Sequence, residues 1–365
     1  MNSIKKRKLD RLDVDNFAVS KRIKWLDALK GFSIICVIIG HVRTSLFASG
    51  MYDSEVMERF EFVRLFHMKL FFILSGFSFY IAYLQEKLCI KKIKKQLANI
   101  VLLYFVYDII RFFFKAIFSR EVNRNVDTSY IYFCWYKHLD EYWYLYVLAL
   151  LYAIVLLMWK KISANVSRTA TFIILSLTIS FFATAYNYLG EWTGSRVLVY
   201  LGFFLVGIYA NGIKRIIPVF VWWIELLVGL IGIIWYLYNY DILSPLNWII
   251  GLFISNSLFF LFYSYSAKIE SLKIIGYLQK IGYHSLEIYL LHVYYTSGLR
   301  PVIKQLHIDT WWLAFMLLML LGIVGPIVLS IILRKLYLWD IVFRPVSLIN
   351  KVRNKYRGNQ IDTKN

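Results

Sequence analysis

Two ionisable residues bracket an otherwise apolar stretch, LKGFSIICVIIGH, that runs from Leu29 to His41. In a helix, the interval between Lys30 and His41 amounts to about three turns, which places both on one face about 16 Å apart. Asp27 lies one turn before Lys30, where the two could pair. A neutral imidazole is suited to proton transfer or nucleophilic attack near pH 7. The alternative is that Asp27 and Lys30 snorkel to a membrane interface while His41 caps the outer helix end.

Two further stretches combine polar and aromatic residues. LFHMKLFFILSGFSFY contains His67, Ser75 and Gly76, and its small residues would let another helix or an elongated ligand approach the backbone closely. YKHLDEYWYLYVLALLY contains Glu141 and Trp143 in an acidic and aromatic cluster beside a histidine. Because interfacial aromatics need no special explanation, this cluster is either a solvated loop or a site for a polar ligand such as a sugar.

A late apolar stretch, IGYHSLEIYLLHVYY, carries several polar groups in helical register. Ser285, Tyr289 and His292 follow the spacing i, i+4, i+7, which is one helical face. His292 and Glu287 are polar groups well inside an apolar segment. Each is therefore either a functional group or part of a satisfied hydrogen bond between helices.

Three basic residues, Arg111, Lys115 and Arg196, lie in or beside other apolar segments. An interior arginine suits a carboxylate or phosphate, whereas one at an outer helix end suits lipid headgroups, and the sequence does not choose between them. The three cysteines lack the spacing of metal ligands, so no metal site is predicted.

The elements that position these residues are long and apolar. Of the 365 residues, 59% are hydrophobic and 19% are aromatic. That composition excludes an ordinary soluble domain and predicts an all-α, polytopic integral membrane bundle. The charged N-terminal segment predicts no signal peptide. About ten spans are predicted at 25–48, 65–84, 97–118, 142–159, 169–187, 197–212, 217–238, 247–267, 281–299 and 311–333.

The distribution of positive charge predicts the orientation of this bundle. If the N-terminus is inside, the inner segments hold 29 of the 42 Lys and Arg residues and the outer segments hold eight. This asymmetry places both termini in the cytoplasm. The predicted organisation is a basic leader (1–24), the bundle (25–334) and a basic tail (335–365). The formal charge of +20 thus reflects topology and contact with membrane lipids, and no nucleic-acid partner is predicted.

Taken in order, these stretches resemble the acyltransferase 3 family of integral membrane O-acyltransferases. KWLDALKGFSIICVIIGH resembles the first-span pattern, FHMKLFFILSGF the second, YWYLYVLALLY the fourth and HSLEIYLLH the late span that ends in His. The likeness is strongest to surface-glycan O-acetyltransferases such as the enterobacterial common antigen acetyltransferase. The chain departs from the family where Lys69 replaces a common Pro and where Lys30 replaces a common Arg.

The resemblance implies chemistry between acetyl-CoA, as a co-substrate and not a bound cofactor, and a lipid-linked or surface glycan. Catalysis is then expected from His41 as base or acyl carrier, and from Lys30, oriented by Asp27, at the donor. The other candidates would line the donor or acceptor site or orient the acceptor, namely His67, Ser75, Gly76, Glu141, Trp143, Tyr289 and His292.

The family also implies a multi-pass protein of the bacterial cytoplasmic membrane, with a homo-oligomer or an extracytoplasmic partner among its possible associations. Some family members carry an extracytoplasmic domain after the bundle, and this sequence shows a basic tail there. The alternative from another class is a non-enzymatic transporter or flippase of a lipid-linked glycan, which would also use ionisable groups at mid-membrane. A structural scaffold would have little reason to bury Glu287 and His292.

Overall fold

The computed structural model describes residues 22–48, 58–84, 90–117, 130–136, 142–163, 166–185, 192–239, 245–308, 310–346 and 348–349. Within these ranges the chain folds into helices joined by short connections. The twelve longest α-helices of the described residues, numbered in chain order, are α1 (Lys24–Ala48), α2 (His67–Phe79), α3 (Ile90–Ile117), α4 (Trp143–Ile162), α5 (Val166–Ala185), α6 (Arg196–Ile208), α7 (Ala210–Ile216), α8 (Val219–Asn239), α9 (Pro245–Ser264), α10 (Lys273–Tyr283), α11 (Ser285–Gly298) and α12 (Trp311–Lys335).

The described part of the chain confirms an all-α polytopic membrane bundle. Seven helices are long and apolar enough to cross a bilayer, and an eighth span follows if α6 and α7, which meet at a 70° bend, are counted together. The two other predicted spans correspond to α3, whose first turns are rich in lysine, and to α10 with α11, which break at His284. The count of ten spans stays a prediction.

Helix α1 lies at the centre of the bundle. It packs against α2, α9, α10, α11 and α12, and most of its apolar residues are buried. By contrast, α8 packs mainly on α9 and leaves most of its large apolar side chains exposed, as expected for a helix that faces lipid. The residues singled out in α1 therefore face protein and not lipid.

Glycines allow two pairs of helices to cross at backbone contact. A Cβ atom on Gly76 of α2 would lie 2.0 Å from the carbonyl oxygen of Phe204, and one on Gly207 of α6 would lie 2.0 Å from that of Ile73. The same reciprocal contact joins Gly31 of α1 to α10. Small residues permit such close approach between membrane helices. These crossings fix α2 and α10, which flank α1, in position.

A buried carboxylate anchors the late helices. Glu287, 2% exposed, accepts hydrogen bonds from Ser330, from Arg334 at 3.0 Å and from the Trp339 indole at 3.2 Å. This network ties α11 to α12 and to the short helix Trp339–Phe343. The start of the predicted tail therefore packs against the bundle, and Glu287 fits the hydrogen-bond alternative for that residue.

Candidate active site

The structure brings His41 of α1 together with His292 of α11. Their ring centroids lie 5.0 Å apart, with 50° between the ring planes. His292 is completely buried, whereas His41 is partly exposed. The two residues lie far apart in the sequence, so this histidine pair forms only because α11 packs on α1.

The hydrogen bonds of His292 define its tautomer. Its Nδ1 atom lies 3.0 Å from the Ile288 carbonyl oxygen and 2.9 Å from that of Tyr289, and two acceptors require that Nδ1 carry a hydrogen. The neutral ring then has its lone pair on Nε2. That buried atom has no hydrogen-bond partner among the described residues. It is therefore available to accept a proton from a substrate or from His41.

A line of side chains extends from this histidine pair to α2. The Tyr289 ring lies 6.3 Å from that of His292 and 5.4 Å from that of Tyr144, between centroids. The Tyr144 hydroxyl lies 2.6 Å from the Ser75 hydroxyl, which donates to the Phe71 carbonyl at 2.8 Å. Ser75 and Tyr289 thus lie in one polar and aromatic cluster with His292. Tyr144 was not singled out from the sequence, because nothing there distinguishes it from an interfacial aromatic residue.

The start of α4 is held against the same region. The buried Tyr142 hydroxyl donates to the Leu290 carbonyl at 2.7 Å, which joins α4 to α11. Next to it, the Trp143 ring stacks on Tyr200 at 5.4 Å and lies 4.5 Å beneath the Arg196 guanidinium. Trp143 therefore lies beside the cluster, between the Tyr200 ring and the Arg196 guanidinium.

Lys30 and Asp27 lie toward the other end of α1. Asp27 pairs with Arg22 at 3.7 Å, and the Arg22 guanidinium lies 4.0 Å from the Tyr283 ring centroid. No hydrogen bond joins Asp27 to Lys30 in the part of the chain that the structure describes, although the two interact electrostatically. Arg22, which lies just before the first span, was not anticipated as a partner.

The remaining candidates have different environments. His67 is buried, and its Nδ1 lies 2.6 Å from the Val63 carbonyl oxygen, close enough to His41 to influence it electrostatically. Gly76 packs against α6, which agrees with helix packing and not with a ligand at its backbone. Glu141 lies outside the described residues. Within the described ranges, no cluster of His, Cys, Asp or Glu could hold a metal ion.

The family model described as an acyltransferase domain matches residues 23–331. This match extends from the start of α1 almost to the end of α12, so it includes the histidine pair and the Ser75 cluster. No curated protein and no solved structure matches the chain. The chain therefore belongs to the acyltransferase 3 family, and it is a membrane acyltransferase.

Proposed function

We propose that the protein transfers an acyl group, most simply acetyl from acetyl-CoA, to a hydroxyl of a lipid-linked or surface glycan at the bacterial cytoplasmic membrane. The observation that carries this proposal is the His41–His292 pair, with a buried Nε2 lone pair, in a chain of this family. A buried imidazole that lacks a partner suits proton transfer from a hydroxyl.

In the proposed step, the acceptor oxygen attacks the thioester carbonyl carbon while an imidazole of the pair takes the hydroxyl proton. The carbon–sulfur bond then breaks, and the proton passes to the CoA thiolate as it leaves. His41 is the partly exposed member of the pair, so it is the one that meets the acceptor. His292 accepts or returns the proton through Nε2.

Lys30 is assigned to the donor end. It lies on the same face of α1 as His41, about 16 Å away by helical geometry, toward the side where the inner loops hold most of the positive charge. A lysine binds a phosphate or thioester oxygen as a point charge, without the bidentate geometry of arginine. Acetyl-CoA approaching from the cytoplasm would meet Lys30 first.

The test uses membranes that contain the protein, radiolabelled acetyl-CoA and a cell-envelope glycan extract, and it measures alkali-labile label in the glycan. We expect His41→Asn and His292→Asn to lower transfer by about 10²- to 10⁴-fold, which is the contribution typical of a general base. His307→Asn is the matched control, because His307 is exposed and its positive φ of 49° is one that Asn tolerates.

Full transfer by the His41→Asn protein would remove His41 from the chemistry. If the intact protein labels no acceptor with any of several acyl donors, translocation of a lipid-linked glycan becomes the better account. Lys30→Ala should raise the acetyl-CoA concentration needed for half-maximal transfer. An unchanged donor requirement would contradict the role of Lys30.

A further inference from the structure

A cation rests on an aromatic surface beside the proposed active site. The Arg196 guanidinium lies 4.5 Å from the Trp143 ring centroid, and the Tyr200 ring stacks on Trp143 and, at 4.4 Å, on Phe72. Arg196 is only partly exposed, and it makes no ion pair with any acid that the structure describes. Among the described residues, its contact is with the Trp143 ring, so Arg196 is a partly desolvated charge held on an aromatic face.

Arg64 is a second arginine whose charge acts on Arg196. Arg64 pairs with Glu61, but the same carboxylate lies 2.8 Å from Arg43, so two guanidinium groups share one buried acid. The Arg64 side chain is 53% exposed, and its Cγ would lie 3.9 Å from a Cβ placed on Gly40, the neighbour of His41. Arg64 also repels Arg196 electrostatically, and both positive charges act on Tyr200.

The surface formed by Arg64, Arg196, Trp143 and Tyr200 connects to the histidine pair through contacting rings. Phe72, which stacks on Tyr200, lies 5.0 Å from the Tyr144 ring centroid, and Tyr144 contacts Tyr289. A group bound between the two arginines would thus lie at one end of a continuous aromatic path to His292. Aromatic surfaces with a few polar groups are typical of ligand sites.

We propose that the acceptor carries an anionic group, a phosphate or a carboxylate, and that Arg64 and Arg196 bind it while Trp143 and Tyr200 contact the attached sugar. This inference rests on the proposed function, because it names the class of acceptor. An anion between the two arginines would offset their repulsion, and the guanidinium geometry matches carboxylate and phosphate oxygens. The anion belongs either to the glycan itself or to a pyrophosphate lipid carrier.

Binding can be measured without acyl transfer, as the rise in the unfolding midpoint of the purified full chain in neutral detergent. Two matched pairs of probes separate the sources of the anion: glucose 1-phosphate with methyl glucoside, and farnesyl pyrophosphate with farnesol. We expect at least one anionic probe to raise the midpoint of the native protein more than its neutral counterpart does. The pair that responds identifies the source.

The variants test the residues. Arg64→Gln and Arg196→Gln should each weaken binding of the responding probe about ten-fold or more. Arg64→Lys should weaken its binding less, because lysine keeps the positive charge. Arg215→Gln is the matched control, since Arg215 is an exposed arginine at the far end of the same bent span. The proposal is overturned if neither anionic probe binds or if binding survives both Gln variants. It is also overturned if phosphatidylglycerol alone raises the unfolding midpoint and Arg196→Gln removes that rise, because Arg196 would then bind only a membrane lipid.

Transfer assays then separate this inference from the proposed function. Arg64→Gln and Arg196→Gln should raise the acceptor concentration for half-maximal transfer about ten-fold, with the acetyl-CoA requirement changed less than two-fold. If His41→Asn abolishes transfer while the arginine variants leave both requirements unchanged, the anionic acceptor is refuted and the acyltransferase proposal stands. If no acceptor is labelled at all, the proposed function fails and the binding measurement still decides whether the arginines hold an anion.

Discussion

At the scale of single residues, the hydrogen bonds of Ser75 limit its role. Its single hydroxyl hydrogen is donated to the Phe71 carbonyl of its own helix, and while that bond is made Ser75 can only accept from the Tyr144 hydroxyl. A serine nucleophile needs a base beside it to take that proton, and no described imidazole or carboxylate hydrogen-bonds to Ser75. These contacts favour a lining role for Ser75 over a role as acyl carrier.

We therefore expect Ser75→Ala to keep transfer within a few-fold of the native rate, with about 1 kcal/mol lost from the free energy of unfolding. Initial rates and the unfolding midpoint would be measured beside Ser163→Ala. Ser163 makes the same bond to its own helix, to Trp159 at 2.7 Å, but is exposed. An acetyl group found on Ser75 by mass spectrometry, or a hundred-fold loss of rate, would contradict the lining role.

At the scale of helices, the crossing of α2 on α6 positions Ser75 and Phe72. The carbonyl of Phe204 lies against Gly76 and that of Ile73 lies against Gly207, so each helix provides a glycine at the point where the other approaches it. Any side chain at either glycine must push the two backbones apart. The geometry of the Ser75 and Tyr144 contact thus depends on two residues that carry no functional group.

Gly76→Ala and Gly207→Ala should each cost about 3 kcal/mol or more, because the added methyl group would meet a backbone carbonyl that cannot rotate away. Gly212→Ala is the control, since Gly212 lies in α7 and nothing lies within 4 Å of a Cβ placed there. That substitution should be neutral or slightly stabilising. The measurement is the amount of folded protein in the membrane and its unfolding midpoint in detergent. Equal behaviour of all three variants would show that the crossing tolerates separation.

The helices show which features the sequence could predict. Long apolar runs sufficed to predict α4, α5, α8, α9 and α12 to within a few residues, because length and hydropathy determine a membrane span. The break at His284 and the bend between α6 and α7 were not predicted, since neither position has a proline and neither interrupts the apolar run for long. Tertiary packing decides them.

The same distinction applies to the site. His41 and His292 were both singled out as polar groups in apolar helices, but their contact could not be predicted, because periodicity identifies a face and not its partner helix. Asp27, which could pair with Lys30 by spacing, forms an ion pair with Arg22 and interacts with Lys30 only electrostatically. Spacing within one helix indicates that Asp27 and Lys30 can meet. It cannot show that Arg22, which precedes α1, competes for the same carboxylate.

At the scale of the whole molecule, the distribution of basic residues and the order of the helices predict one orientation. With α1 entering from the cytoplasm, the segment Tyr130–Phe133 lies outside and the end of α4 lies inside. The proposed donor and acceptor regions then face opposite sides, with Lys30 toward the inner end of α1 and Arg196 toward the outer surface. This separation is what a transfer from cytoplasmic acetyl-CoA to an external glycan requires.

Cysteine labelling tests this orientation. In a background without the native cysteines, a membrane-impermeant maleimide applied to intact cells should label Tyr132→Cys, because Tyr132 is 77% exposed and this orientation predicts that it lies outside. Ser163→Cys, exposed after α4, should be labelled only after the membrane is permeabilised. The opposite pattern would reverse the orientation and remove the assigned donor and acceptor sides.

The pairing of a first-helix histidine with one in α11 also has a consequence for how the protein is made. When α1 through α10 have been inserted into the membrane, Lys30 and His41 are present, but His292, the other member of the proposed base, has not yet been synthesised. On the proposed mechanism, premature termination anywhere before α11 would leave an inactive fragment, which could not transfer an acetyl group from acetyl-CoA to water or to another hydroxyl through this pair. The order of synthesis thus delays catalytic competence until the bundle is nearly complete.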